Sequence, residues 1–327
     1  MRHATIRQLQ VFVAAGRRLS FARAGEALNL TPAGVSFQIK QIEAQSGFAL
    51  FERVGRGVAL TDAGRTLLGY AEQVLRALQD ADQAMMALGD LGAGRVTIGL
   101  VSTAKYIVPH LLTRFQADYP GIAIELRDGN RREMLEMVLN GETDLAVTGQ
   151  PPVDADVIAQ SFAPHPSVIV APPSHTLCGR ADLPASALAG YPFVAREEGS
   201  GTRLLMDGFF QAAGFEPRVV MTTSSNETIK QAVMAGMGLA LLSRHTIGLE
   251  LGLRMMTTLP VEGFPMMRSW FVTHRRNMPL LPAHVRLKSF LLDGGQAIVD
   301  ELDRQYRTVG EAVLAGGTSP VIQACVE

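Results

Sequence analysis

Apolar positions recur at helical spacing three times before Glu43. Ile6, Leu9, Phe12 and Val13 mark the inner face of one helix. Phe21, Ala24, Ala27 and Leu28 mark a second, opened by Ser20, a residue suited to capping free backbone N–H groups. A third begins at Thr31, a candidate N-cap, with Pro32 at the first helical position, where a missing N–H does no harm, and it buries Val35, Ile39 and Ile42. Its opposite face carries Ala33, Ser36, Phe37, Lys40 and Gln41, and the leading end is small and uncharged. This pattern predicts a helix-turn-helix whose last helix can enter a major groove, with a helical hairpin of a larger core as the alternative. Residues 48–51 and 58–60 then read as short strands around Glu52-Arg53-Val54-Gly55-Arg56-Gly57, a wing with Arg53 and Arg56 at its tip.

After Thr61-Asp62, a plausible helix cap, Leu67, Ala71, Val74, Leu78, Ala81, Met85 and Leu88 follow one another in steps of four and three. A period of 3.5 keeps one narrow stripe turned to a partner helix, so the seam predicts dimerisation; a long helix lying on its own domain is the other reading. Gly92 and Gly94 end the helix. A dimer places two recognition helices about 34 Å apart, on one face of DNA.

From Arg95 the rhythm changes to that of a parallel sheet. Strands at 96–101, 122–126 and 144–148 alternate with helices at 105–119 and 131–140. A second series has strands at 167–171, 193–196, 219–221 and 239–242, with helices at 202–213 and 227–235. A strand at 269–273 and a closing helix at 285–302 follow, and 303–327 lose the pattern as a tail. The chain thus divides into a DNA-binding domain at 1–60, a linker helix at 61–91, one α/β lobe from 95–164 with 272–302, and a second from 165–271.

Two lobes in series imply a cleft, and three strand-to-helix loops can line it. Ser102 and Thr103 offer hydroxyls and amides at a positive helix end. Ser200, Gly201, Thr202 and Arg203 add close backbone access and a guanidinium suited to phosphate or carboxylate. Asn226 stands in the same relation to a third helix, and Lys105 and Thr148 complete the candidate set. Ordinary helix capping explains each of these hydroxyls taken singly. Together they favour an anionic small molecule.

Composition sharpens the division. The first 60 residues hold eight Lys or Arg against three acids, a charge of +5; the whole chain of 327 residues is −1, so the remainder carries −6. Positive charge concentrated on the helix-turn-helix is the footprint expected for phosphate. With 47% hydrophobic and 19% charged residues the chain can pack several domains. No apolar run approaches the roughly 18 residues of a membrane span, and the N-terminal pattern reads as a folded helix rather than a signal peptide. Cys178 and Cys325 have no metal-like spacing, so a cytoplasmic, reduced protein without metal or cofactor is expected. No P-loop, dinucleotide fingerprint or Gly-x-Ser-x-Gly elbow occurs, and an enzyme is not expected.

The run Phe21-Ala22-Arg23-Ala24-Gly25-Glu26-Ala27-Leu28-Asn29-Leu30-Thr31, with Val35-Ser36-Phe37-Gln38-Ile39, Leu50-Phe51-Glu52-Arg53 and Leu60-Thr61-Asp62-Ala63-Gly64, resembles LysR-type transcriptional regulators over nearly the whole chain. The resemblance implies an α+β/α/β multidomain fold: a winged helix-turn-helix, a long linker helix and a two-subdomain effector domain like the periplasmic binding proteins. Thr103-Ala104-Lys105-Tyr106, Gly129-Asn130-Arg131, Gly149-Gln150-Pro151-Pro152 and 196–203 are similar to the regulators that activate Calvin-cycle carbon-fixation operons. That narrower likeness implies a tetramer of linker-helix dimers, bent double-stranded DNA, RNA polymerase as a partner, and a phosphorylated Calvin-cycle metabolite or nicotinamide nucleotide as effector. Phe37 stands where the wider family often has Arg, and Gln150 where the narrower group has Arg. Phe37 either meets a thymine methyl or packs inward. Thr31, Pro32, Ala33, Ser36 and Phe37 are expected on the bases, and Lys40, Arg53 and Arg56 on phosphates. The rivals are a LysR-type regulator of another operon with a different carboxylate or phosphate effector, and a cytosolic solute-binding protein.

Overall fold

Thr5 opens α1 (Ile6–Arg18) with a reciprocal cap, its hydroxyl accepting from the Gln8 amide while the Gln8 side chain accepts from the Thr5 amide. Ser20 caps α2 (Phe21–Leu28) and Thr31 caps α3 (Pro32–Ser46), accepting from Arg23 and Gly34. Val11, Phe12, Ala24, Val35, Ile39 and Ile42 close the core of this three-helix unit, and Phe51 meets Phe12 and Phe21 edge-on. The turn between α2 and α3 passes through Asn29 in the left-handed region and returns the Leu30 amide to the Gly25 carbonyl at 2.8 Å. A Cβ on Gly25 would stand 2.5 Å from the Leu30 carbonyl oxygen, so this crossing admits only glycine.

In this computed structural model residues 4–55, 57–89, 93–152 and 154–314 are described, and the chain splits into two units, Met1–Gly89 and Asp90–Glu327. The wing is the antiparallel pair β1 (Phe51–Val54) and β2 (Gly57–Leu60). Its first strand starts at Phe51 and not at Phe48. The Phe48 amide goes to the Ser46 hydroxyl and the Leu50 amide to the Glu43 carboxylate, so the end of α3 takes donors that a ladder would need.

Thr61 caps α4 (Asp62–Gly89) by accepting from the Gly64 amide. The seam along it splits in two. Ala71 is buried in the core of the unit and Leu67 packs against it, whereas Val74, Leu78, Ala81 and Met85 are exposed, Met85 at 68%. The Leu88 side chain and Arg56 lie outside the described residues.

The second unit starts with β3 (Gly94–Val101), α5 (Val108–Asp118), β4 (Ile122–Gly129), α6 (Arg131–Leu139) and β5 (Leu145–Thr148), and β3 is parallel to both β4 and β5. The helix expected at 105–119 is broken into a 3-10 turn at Ala104–Tyr106 and α5, because Pro109 has no amide for the Lys105 carbonyl and its ring crowds that oxygen. Next come β6 (Val157–Ala171), β7 (Pro192–Arg196), α7 (Gly201–Ala213), β8 (Arg218–Thr223), α8 (Asn226–Met234) and β9 (Ala240–Ser243). The unit closes with α9 (Gly248–Gly252), β10 (Thr257–Leu259), β11 (Met266–Arg275) and α10 (Pro282–Leu314).

The sheet is mixed rather than parallel. Its order is β10-β6-β11-β5-β3-β4, with β9 also on β6, and β11 runs antiparallel to both β6 and β5 because the chain returns along the strand by which it left. β7 and β8 form a separate parallel pair. Ile98, Leu111, Phe115, Trp270 and Leu287 fill one core, while Ile169, Phe193, Phe210 and Leu241 fill another on the far end of β6. The expected tail is in part helix. Asp303 accepts from Arg244 at 3.1 Å and the Tyr306 ring lies on Gly248 with no room for a Cβ, so packing carries α10 to Leu314. Residues 315–327, Cys325 among them, lie outside the described set.

Gly25→Ala should lower the stability of the first unit by about 1–3 kcal/mol, the usual range for overpacking. Calorimetry of the full chain tests this: the transition of the helix-turn-helix should move down while that of the second unit stays, and an unmoved first transition would contradict the close crossing.

Candidate functional site

Two surfaces concentrate the chemistry. On α3 the buried stripe of Val35, Ile39 and Ile42 forces Thr31, Pro32, Ala33, Phe37 and Lys40 outward, with Ser36 half-buried beside them. Gln41 turns back instead, its side-chain oxygen accepting from Gln8 at 2.7 Å. Arg53 is exposed on the wing strand β1. No carboxylate among the described residues pairs with Lys40 or Arg53, so their charge is free for phosphate.

The second surface is a cavity of about 440 Å³ between the two halves of the second unit. Ser102 and Thr103 at the end of β3, and Ser200, Gly201 and Thr202 at the start of α7, meet there. Ser200 caps α7, its hydroxyl accepting from the Thr202 amide at 3.2 Å, so the positive end of that helix opens on the cavity. Gly149 and Gln150 follow β5 into the same wall.

Four titratable residues not expected there from sequence also line it, Arg131, Arg196, His165 and Arg268, beside an apolar side made by Leu204, Leu205, Phe209 and Met266. His165 and Arg268 face each other in the β6–β11 register. A Cβ on Gly201 would lie 3.3 Å from Arg131 Cδ and 3.9 Å from Arg268 Nη1, so both side chains reach the first turn of α7. The three arginines differ. Arg196, only 2% exposed, has a partner at every nitrogen: it grips Glu197 with two bonds of 2.8 and 3.0 Å and donates to Asn226 Oδ1 and Ser102 Oγ, each at 2.8 Å. Arg131 and Arg268 have no carboxylate partner among the described residues, and none lines the cavity. Arg268 Nε and both ring nitrogens of His165 are buried with no hydrogen-bond partner. Burial, with Arg131 close by, lowers the Arg268 guanidinium below its usual value. Burial, then Arg268 and His245, holds His165 well below the ordinary histidine range. Its ring stacks on Trp270 at 3.7 Å, and Trp270 donates to His245 Nδ1 at 3.1 Å.

The remaining expected residues lie elsewhere. Lys105 is exposed and holds Asp128 at 2.5 Å. Thr148 shares a 3.0 Å hydroxyl contact with Thr273 inside the sheet. Arg203 is bound to Asp207 at 2.8 Å and to the Arg196 carbonyl at 3.3 Å. Asn226 stands behind the wall, between Arg196 and the Ser102 carbonyl. Outside the lining, the Tyr106 hydroxyl donates to Glu227 at 2.6 Å, and burial with that carboxylate raises the phenol above its normal value. Among the described residues no group of His, Cys, Asp and Glu could hold a metal ion, and no helix is long and apolar enough to cross a membrane.

A winged helix-turn-helix, a long helix and a two-lobed domain with a cationic cavity are the parts of a ligand-responsive transcription regulator. Residues 6–65 match the bacterial regulatory helix-turn-helix proteins of the lysR family and residues 89–296 the LysR substrate binding domain; the chain belongs to the LysR family of transcriptional regulators. It is 46% identical to the HTH-type transcriptional regulator CbbR of Rhodospirillum rubrum, over 89% of this chain and 97% of that one. It is 40% identical to the RuBisCO operon transcriptional regulator of Allochromatium vinosum, over 89% and 96%. Among solved structures it is similar to the regulatory domain of Synechocystis PCC6803 CcmR in complex with 2-PG, at 34% identity and a TM-score of 0.57, covering 65% of this chain and 97% of that one.

The depressed His165 gives the second unit an acid-sensitive fold. The unfolded ring, with its ordinary value of 6.5, takes up a proton before the folded ring does. Stability that is complete above that value is therefore lost as the pH falls below it, by at most about 1.4 kcal/mol per pH unit for one proton. The melting temperature of the second unit should drop between about pH 7.5 and about pH 5.5. His165→Phe, which keeps a ring on Trp270, should flatten the drop; an unchanged slope would assign the effect to other histidines.

Proposed function

We propose that this chain regulates a carbon-fixation operon, as an activator, and that a small phosphorylated carboxylate held by Arg131, Arg268 and the first turn of α7 controls it. One observation carries the reading: Arg268 Nε and His165 are buried without partners in a cavity whose described lining holds no carboxylate. An anion supplies the missing acceptors, and Ser102, Thr103, Ser200 and Thr202 orient it. The relatives support both halves of the proposal, since one regulates a RuBisCO operon and the Synechocystis domain is complexed with 2-PG.

Thr31, Pro32, Ala33, Ser36 and Phe37 face base edges, while Lys40, Arg53 and Arg56 neutralise phosphates. Val74, Leu78, Ala81, Met85 and Leu88 pair two chains along α4, and two such dimers make the tetramer. Residues 95–164 with 272–302 form one lobe and 165–271 the other. The protein acts in the cytoplasm, with RNA polymerase as its partner at the promoter. The effector works by binding one arrangement of the regulator more tightly than another.

Arg53→Ala should weaken binding to all duplexes alike and flatten the dependence of log affinity on log salt by roughly 0.9 for each phosphate that Arg53 neutralises. An unchanged slope with weaker discrimination would move Arg53 from phosphate to base. For the cavity, footprinting on the upstream intergenic DNA is repeated with and without 2-phosphoglycolate and related phosphorylated carboxylates. The wild type should change its footprint with ligand, and Arg268→Gln should reduce the ratio of affinities with and without ligand to near one. A full response in Arg268→Gln would remove Arg268 from the site, and no protection at low salt would count against the regulator itself.

A further inference from the structure

We infer that Phe37 reads the 5-methyl group of a thymine in each operator half-site. This rests on α3 being the helix that enters DNA. Phe37 does not pack inward: its side chain is 58% exposed, on the face opposite Val35, Ile39 and Ile42. The aromatic contacts of the first unit join Phe12, Phe21 and Phe51, and none among the described residues takes in Phe37. One turn before it stands Ala33, with no side chain long enough to hold a duplex away, and just beyond it Lys40 offers an unpaired charge to the backbone. A phenyl ring between a small residue and a phosphate-binding cation is carried into the groove when the helix docks.

The ring has no donor or acceptor, so hydrogen-bond readout at this position is absent. Of the groups that the four base pairs show in the major groove, the thymine methyl alone is apolar. Burying the ring against it removes apolar surface from water on both sides, whereas a guanine or adenine edge would lose hydrogen bonds to water without replacement. Phe37 therefore supplies discrimination by buried apolar area, at a position where Arg would select guanine.

The test replaces each thymine of the footprinted operator, one at a time, by deoxyuridine, which removes the methyl and keeps every hydrogen-bonding group. Wild-type protein should lose about fourfold in affinity at one thymine per half-site, the change that about 0.8 kcal/mol for one methyl-sized group produces. Phe37→Ala should bind the thymine and deoxyuridine duplexes equally, and Phe37→Leu should keep part of the preference. Circular dichroism melts of both variants, expected at the wild-type temperature for so exposed a side chain, establish that the binding data concern folded protein. A wild type indifferent to every replacement, or a Phe37→Ala protein that still prefers thymine at the same position, overturns the inference while leaving DNA binding intact. Failure to bind the unmodified duplex at low salt overturns the DNA-binding reading and this inference with it.

Discussion

The antiparallel ladder between β6 and β11 holds the second unit together, and the register shift between Trp270 and Phe271 divides it into two runs. β5 attaches to β11, and β9 and β10 attach to β6, so both lobes hang from this one ladder. The shift leaves Phe162 without an opposite residue and buries it in the first core. Residues opposite each other in an antiparallel pair share a face, so the register that pairs Arg268 with His165 sets both into the cavity. A slip of one residue would turn them out of it.

That placement has an electrostatic cost which the protein leaves open. A guanidinium buried in a strand without a carboxylate is unfavourable, and burial shifts Arg268 accordingly. Arg196 shows the other solution, a buried arginine whose donors are met by Glu197, Asn226 and Ser102 and whose role is to join the lobes. The contrast sorts the arginines that line the cavity into one held by protein partners and two without a carboxylate, by their contacts rather than by their position.

Much of this was legible beforehand where the signal is local. Ser20, Thr31 and Pro32 mark helix starts chemically, and the stripe of α3 is its one buried face; α1 departs from its stripe, with Ile6 exposed and Val11 to Gly16 buried all round because α2, α3 and α4 all pack on it, and Ala27 of α2 is exposed. Ser200 to Thr202 were legible for the same reason, as a loop that starts a helix. Arg131, His165, Arg196 and Arg268 were not, because strand register, a long-range property, brings two of them together. One signal was in reach: an arginine inside the apolar run Met266-Met267-Arg268-Ser269-Trp270 needs a reason to be there. Another would have removed Arg203, since Asp207 follows at i+4, the spacing of a helical ion pair. The mixed sheet escaped because alternation of strands and helices does not encode strand direction. The end of α10 escaped because Gly248 and Tyr306, which fix it, are distant in sequence.

Ser102 is held from the opposite lobe by Arg196 and Asn226, the Arg132 amide donates to the Gly199 carbonyl at 3.3 Å, and Tyr106 reaches Glu227. The walls of the cavity are thus joined before any ligand arrives, and little of a ligand's binding free energy goes into ordering them. Among these bonds the one from Arg196 to Ser102 has both ends in the cavity lining, so the outer bridges stiffen the walls from behind and loosening one of them would soften the cavity without removing a group that faces it.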